Sequence, residues 1–67
     1  MIYVNNIRAE MARNKVSQKD IASKLGISLR SLNLKLTGKR EFKASELHSI
    51  AVLLRVDINI FFNDSVN

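Results

Sequence analysis

The sequence predicts an all-α fold, a compact bundle of five short helices in a single domain. Apolar residues recur at the spacing of a helix face, and Ser, Asn and Gly stand where helices would begin and end. The 67 residues are 46% hydrophobic and include neither proline nor cysteine, so an apolar core has to hold the domain together without disulfides. The expected helices span about residues 5–14, 18–25, 29–37, 44–55 and 58–62, followed by a frayed tail at 63–67.

The first two helices carry signals at their ends. Asn5 or Asn6 is expected to cap the first helix, because a short side-chain oxygen can accept a hydrogen bond from a free N–H of the first turn. Ser17 should cap the second helix, and Asp20, three residues on, should complete a capping box. Gly26 follows the last turn of this helix, where a left-handed residue is least costly for glycine.

The third helix competes with a strand. In "SLRSLNLKLTGKR", residues 28–40, Leu32, Leu34 and Leu36 alternate with polar residues, which is the period of a half-buried strand. However, Leu, Lys and Asn have little strand preference. Ser28 is a suitable helix cap and Gly38 stands where a helix would end. We therefore expect a helix.

The last third of the chain predicts a fourth helix and an ambiguous tail. Glu46 and the backbone of Lys43 offer half of a capping box for the fourth helix. In the tail "VDINIFF", Asp57 can cap a short helix with Phe61 and Phe62 turned inward, although the same stretch also alternates like a strand. The helix is the preferred interpretation. The inward positions of the fourth helix are Leu47, Ile50, Ala51 and Leu54.

The charge distribution is compatible with a polyanionic partner. The net charge is +5, and five basic residues but a single acid, Glu41, lie between Arg30 and Lys43. Such a patch suits nucleic acid, although a solvated face that keeps a small protein soluble gives the same pattern. No apolar run approaches the roughly 18 residues that cross a bilayer. The N-terminus lacks the features of a secretion signal, so we expect a cytoplasmic protein that does not contact membranes.

The sequence offers no group of residues typical of catalysis or metal binding. The lone histidine, His48, cannot build a metal centre and is expected to face solvent. Paired carboxylates, a Ser–His–Asp arrangement and a phosphate-cradling loop are not apparent. We therefore expect no enzymatic activity, no metal, no cofactor and no small-molecule substrate.

The second and third helices, joined by "LGIS", predict a helix-turn-helix. Two helices packed nearly perpendicular need a small residue at their closest approach, which Ala22 supplies, and a glycine in the turn, Gly26. They also need apolar anchors on either side, which are Leu25, Ile27 and Leu32. The second helix of such a unit can enter the major groove of DNA.

With this motif the sequence resembles the Cro and lambda-repressor family of helix-turn-helix proteins, over about residues 5–62. The length is similar to that of a free-standing Cro-like repressor of a phage or prophage. The resemblance implies a repressor that binds double-stranded operator DNA. One departure is Lys35, where many members have a bulky apolar residue; we expect its methylenes to cover the core rim while its ammonium stays in solvent. The matching residues are Gln18, Ala22, Gly26, Ile27, Leu32, Gly38 and Lys39, followed by Phe42, Glu46, Leu47, Ile50 and Ala51.

If the third helix enters the major groove, its outward residues become candidates for DNA contacts. Arg30 can bind guanine, Asn33 can bind adenine, and Leu34 can meet thymine methyl groups. Alternatively, Leu34 packs against the neighbouring loop or a second subunit, and Leu29 belongs to the core. The candidate base contacts are Ser28, Leu29, Arg30, Asn33 and Leu34. The candidate phosphate contacts are Ser17, Gln18, Thr37, Lys39, Arg40 and Lys43; for Gln18 the resemblance also implies that it braces the start of the third helix.

The C-terminus predicts self-association. Its apolar residues exceed what one small core is expected to hide, and one DNA-binding module reads only a half-site. A homodimer through this region is therefore expected, with Tyr3 and Val4 as the alternative patch. Two other functions remain open: an antitoxin-like DNA-binding protein that also binds a partner protein, and an interaction module for RNA or an acidic protein. The candidate dimer residues are Ile58, Ile60, Phe61 and Phe62, together with Val52 and Leu53.

Overall fold

The computed structural model describes residues 4–62, where four α-helices are followed by a 3-10 helix. The all-α class is confirmed. The fifth helix was expected to be an α-helix, but its five residues form the tighter 3-10 type. The predicted frayed tail, 63–67, lies outside the described residues. In chain order the elements are α1 (Val4–Asn14), α2 (Gln18–Leu25), α3 (Leu29–Leu36), α4 (Ala44–Leu54) and the C-terminal 3-10 helix (Ile58–Phe62).

The caps of α2 and α3 are those that the sequence predicts. The Ser17 hydroxyl accepts a hydrogen bond from the Asp20 amide at 3.1 Å, and the Asp20 carboxylate accepts one from the Ser17 amide at 3.0 Å. At α3, the Ser28 hydroxyl accepts from the Ser31 amide at 3.0 Å. Each cap satisfies an N–H group that the first helical turn leaves without a partner.

The predicted cap of α1 is wrong. Because α1 already includes Val4, both Asn5 and Asn6 lie inside the helix. Asn6 instead donates a hydrogen bond from its side-chain amide to the Ile60 carbonyl, at 2.7 Å. That contact connects the start of α1 to the C-terminal 3-10 helix, two elements at opposite ends of the chain.

One apolar core joins the elements. The 3-10 helix packs against α1 and α4, while α2 packs against both α3 and α4. The main helix contact of α3 is therefore with α2, and one side of α3 faces away from the bundle. The core residues are Ile7, Met11, Ile21, Ala22, Leu32, Leu36, Phe42, Leu47, Ile50, Ala51, Leu54 and Phe61.

The tail residues divide between core and surface. Phe61 is completely buried, so the expectation that it contributes to a dimer surface is wrong: the core has already removed its ring from solvent. Phe62 was expected to turn inward but is 47% exposed. Asp57 caps this segment as predicted, since its carboxylate accepts a hydrogen bond from the Asn59 amide at 2.9 Å.

The described helices are too short or too polar to cross a membrane, a statement that covers residues 4–62.

Candidate nucleic-acid interface

The turn between α2 and α3 begins with the left-handed glycine that the sequence predicts. Gly26 ends α2 in the left-handed conformation, with φ of 70°. The Ile27 amide then donates to the Ala22 carbonyl at 3.1 Å, a bond characteristic of a glycine-terminated helix. Ala22 is buried and Ile27 packs against the core. Only three residues therefore separate the two helices, and the turn fixes α3 against α2.

The solvent-facing side of α3 carries side chains able to contact base edges. Arg30 and Asn33 are exposed, and Leu29 is 51% exposed. Within residues 4–62, neither the Arg30 guanidinium nor the Asn33 amide makes a hydrogen bond or an ion pair. We call these residues, with Leu34 and the preceding Ser28, the α3 face. Its guanidinium and amide donors are free to bind an external acceptor.

The two leucines of the α3 face differ in exposure. Leu29 lies on the surface, which decides against the alternative that placed it in the core. Leu34 is half-buried, less exposed than expected. It belongs neither to the buried core nor to the apolar side chains packed against that core. Leu34 thus still offers apolar surface beside Arg30.

A basic loop, residues 37–43, follows α3 and is fixed to its last turn. The Leu34 carbonyl accepts hydrogen bonds from the amides of both Lys39 and Arg40, at 2.9 and 3.1 Å. Gly38 allows this tight return with a φ of 79°. The side chains of Lys39, Arg40 and Lys43 are all exposed. Lys39 and Arg40 thus follow α3 on a backbone that its last turn holds, and Lys43 ends the same loop.

Thr37, a predicted phosphate contact, uses its hydroxyl within the protein. The hydroxyl donates to the carbonyls of Asn33 and Leu34, at 2.9 and 3.2 Å. A phosphate oxygen only accepts hydrogen bonds, so Thr37 could bind one only by giving up these contacts. The structure therefore favours a role for Thr37 as the cap of α3 over a phosphate contact.

The start of α2 is also partly occupied. Ser17 uses its amide and its hydroxyl oxygen in the capping box with Asp20. The hydrogen bond from the Ser17 amide, followed by that with the Ser17 side chain, holds the pKa of Asp20 below its usual value. This carboxylate therefore stays charged at the helix N-terminus, where it opposes an incoming phosphate. Gln18, half-buried beside it, keeps a neutral side chain that can donate to a phosphate.

Lys35 contradicts its predicted position. Its side chain is buried, and the ammonium lies 2.5 and 2.6 Å from the two carboxylate oxygens of Glu46, which is also buried. The ring of Phe42 lies 6.0 Å from the ammonium. Lys35 is buried because Glu46 supplies the opposite charge, a partner eleven residues away on α4.

Glu46 also fixes the start of α4. One of its oxygens accepts a hydrogen bond from the Lys43 amide at 2.8 Å, which confirms the predicted half of a capping box. Burial raises the pKa of Glu46, but the hydrogen bonds from Lys35 and from the Lys43 amide outweigh it and leave the pKa below its usual value. Glu46 is therefore a charged, buried group that connects α3 to the end of the basic loop.

Arg8 of α1 is a further contact that the sequence did not reveal. Its guanidinium donates two hydrogen bonds to the Leu36 carbonyl, at 3.3 and 3.2 Å. This carbonyl belongs to the last turn of α3, where a cation also complements the helix dipole. The end of α3 is thus held by α1 through Arg8 and by α4 through Lys35.

The candidate dimer residues do not form one exposed patch. Ile58 and Ile60 are half-buried and pack against the core, as does Val4 of the alternative patch. Tyr3 lies outside the described residues. Phe62 borders an open groove of about 610 Å³. The groove is lined by Val4, Lys35, Gly38, Arg40, Glu41, Phe42 and Phe62.

Comparison with known proteins adds no relative. The chain matches no protein-family model, no curated protein and no solved structure.

Proposed function

We propose that this chain is a sequence-specific regulator of transcription that binds double-stranded DNA, a Cro-like repressor acting as a homodimer on a symmetric operator. The observation that carries the proposal is the α3 face, where Arg30 and Asn33 are exposed and have no partner within residues 4–62. Such a face, projecting from a helix-turn-helix, suits insertion into the major groove.

Each side chain of the α3 face has a matching group on a base edge. Arg30 can donate two hydrogen bonds to O6 and N7 of guanine, and Asn33 can pair with N6 and N7 of adenine. Leu29 and Leu34 supply apolar contacts to thymine methyl groups, which are accessible only from the major groove. These contacts would give the complex its sequence preference.

The basic loop would supply affinity that does not depend on sequence. Lys39, Arg40 and Lys43 are exposed on the loop that follows α3, so they can bind phosphates flanking the groove while Gln18 binds from α2. Three cationic contacts per protomer, six in the dimer, imply a slope of about −5 for log K against log salt concentration.

A dimer would let two α3 faces read half-sites about 34 Å apart, one turn of the duplex. Phe62 and Val52, which are 47% and 59% exposed, are the large apolar side chains available for the contact. Occupation of the operator is sufficient to exclude polymerase, so repression needs no catalytic group. Such a repressor would act in the cytoplasm of a bacterium or of a phage-infected cell.

Selection of bound duplexes from a random pool tests this proposal. We expect enrichment of an inverted repeat whose half-sites lie about 10 base pairs apart. The affinity of the selected duplex, of a scrambled duplex and of single-stranded RNA is then measured by fluorescence anisotropy. Equal affinity for all three would reject a sequence-specific repressor and favour an interaction module for polyanions.

A further inference from the structure

The buried pair Lys35–Glu46 contributes no side chain to the α3 face or to the exposed cations of the basic loop. Both residues are buried, with 6% and 9% of their surface exposed. Replacing such an ion pair with apolar side chains of similar volume is often neutral or stabilising, because both charges lose their hydration on burial. Stability alone therefore does not explain why a small domain keeps these charges in its interior.

The pair does provide directed hydrogen bonds that apolar side chains cannot. The Lys35 ammonium, on the last turn of α3, donates hydrogen bonds to both carboxylate oxygens of Glu46. One of those oxygens also accepts a hydrogen bond from the Lys43 amide. The opposite end of the basic loop is fixed by the Leu34 carbonyl, which holds the amides of Lys39 and Arg40. Both ends of the loop are therefore anchored to the last turn of α3: one end directly through the Leu34 carbonyl, and the other through Lys35 and Glu46.

From this geometry we infer that Lys35 and Glu46 are positioning residues that hold the cations of the basic loop in fixed register with the α3 face. The inference rests on the proposed DNA binding. In free protein the pair would hold the Lys43 end of the loop where the phosphates lie once α3 is in the groove, while the Leu34 carbonyl holds Lys39 and Arg40. A loop ordered before binding loses less conformational entropy when the complex forms, and so binds more tightly.

The test compares two double variants with the wild-type chain. Lys35→Met with Glu46→Leu removes both charges and the acceptor for the Lys43 amide. Lys35→Met with Glu46→Gln removes the charges but keeps an acceptor for that amide. Thermal melts followed by circular dichroism establish that each variant is folded at the assay temperature, so that a loss of binding cannot be attributed to unfolding.

For the Met–Leu variant we expect affinity for the selected duplex to fall at least about 10-fold, the equivalent of about 1.4 kcal/mol. Its salt slope should become shallower by about two, because the loop of each protomer in the dimer neutralises one phosphate fewer. The ratio of affinities for selected and scrambled duplex should stay at its wild-type value, because the α3 face is unchanged. The Met–Gln variant should lose less affinity. A folded Met–Leu variant with wild-type affinity and salt slope would overturn the inference.

A double-mutant cycle with Lys43→Ala separates positioning from a merely structural role. In the wild-type background this substitution should weaken binding; in the Met–Leu background it should weaken binding several-fold less, because the Lys43 backbone is no longer held by Glu46. Equal losses in both backgrounds would contradict the inference.

Amide hydrogen exchange keeps the inference testable without DNA. We expect the Lys43 amide to be protected in the wild-type protein and in the Met–Gln variant, and to exchange faster in the Met–Leu variant. If the Met–Leu variant does not fold, exchange is measured in the wild-type protein alone. Rapid exchange of its Lys43 amide would show that Glu46 does not hold the loop and would refute the inference. Failure of the wild-type protein to prefer any duplex would count against the proposed function, whereas unchanged exchange in a folded Met–Leu variant would count against the positioning role.

Discussion

Removing the charge of Glu46 while its ammonium partner stays buried should strongly destabilise the fold. Glu46→Gln keeps the shape of the side chain and an oxygen for the Lys43 amide, but leaves Lys35 without a counter-ion. Breaking a buried ion pair at one partner costs about 3–5 kcal/mol. Glu46 retains 9% of its surface exposed, so we expect a loss near the lower end, about 3 kcal/mol.

That loss is large for this chain. At roughly 0.1 kcal/mol per residue, 67 residues have a total stability of only about 7 kcal/mol. For a domain of this size each kcal/mol shifts the melting temperature by about 4–8 °C, so we expect Glu46→Gln to melt at least about 12 °C below the wild-type protein. Urea titration and thermal melts at pH 7 measure both quantities. The matched control is Glu41→Gln, an exposed neighbour, which should change stability by less than about 0.5 kcal/mol.

Lowering the pH should destabilise the wild-type protein in the same way, because it removes the charge of Glu46. The folded-state pKa of Glu46 lies below the ordinary value of 4.5, so the ion pair contributes its full stability above that pH. As the pH falls below about 4.5, the unfolded state takes up a proton first and the contribution declines. The loss should be smaller in Glu46→Gln. A Glu46→Gln protein that melts within 2 °C of the wild type (about 0.5 kcal/mol or less) would refute the account of a buried Lys35 ammonium that depends on the charge of Glu46.

Three other substitutions test separate parts of the core and surface, and a fourth tests the end of α3. Phe61→Ala should cost about 3–5 kcal/mol in urea titration and leave the domain folded with only a few kcal/mol of stability, because the ring is completely buried. Phe62→Ser should barely change stability but should shift the proposed dimer toward monomer in sedimentation analysis. Ser17→Ala should cost about 1 kcal/mol through loss of the capping box. Arg8→Met should cost about 1.5–3 kcal/mol and increase amide exchange at the end of α3, because the Leu36 carbonyl loses two charged donors.

Matched controls and contrary outcomes apply to these substitutions. Ser23→Ala, on the exposed side of the same helix as the Ser17 cap, should not reduce stability. Equal effects of Ser17→Ala and Ser23→Ala would exclude a capping role for Ser17. A folded Phe61→Ala protein of wild-type stability would contradict the described core. Unchanged sedimentation of Phe62→Ser would exclude this residue from the dimer contact, and unchanged exchange in Arg8→Met would exclude Arg8 as a support of α3.

The sequence predicts those features that depend on a few neighbouring residues. Each of these features involves no more than four consecutive residues, so a short stretch of sequence is enough to predict it. They are the capping box of Ser17 and Asp20, the Gly26 turn and the cap at Ser28. The choice of helix over strand for residues 29–36 follows from the same signals. These local features also define the α2–α3 turn and the side of α3 that faces outward.

The features that the sequence did not reveal depend on distant partners. Whether Lys35 is buried depends on Glu46, and the pattern of α3 alone contains no sign of α4. A signal was nevertheless present: Lys35 lies between Leu32 and Leu36 on the inward stripe of α3, and Glu46 adjoins the buried Leu47. Two opposite charges on two apolar stripes suggest a buried pair. The contact from Arg8 to a backbone carbonyl leaves no such pattern.

The burial of the tail residues likewise depends on distant partners that the local sequence does not indicate. The apolar residues from 58 to 62 fit a helix or a strand, and their number suggested a surplus that a dimer would cover. In the structure the 3-10 helix buries Phe61 completely and Ile58 and Ile60 in part. The surplus is smaller than the sequence suggests because α1 and α4 provide a site for the tail.

The most direct test of DNA recognition by the α3 face is the sequence preference of the protein. The measurement is the ratio of affinities for the selected and the scrambled duplex, compared between the wild-type protein and Arg30→Ala with Asn33→Ala. Each base contact is worth about 1–3 kcal/mol of discrimination, so we expect the double variant to lose at least about 30-fold of this ratio, while Lys39→Ala weakens both duplexes equally. A double variant that keeps the wild-type ratio would contradict recognition through α3.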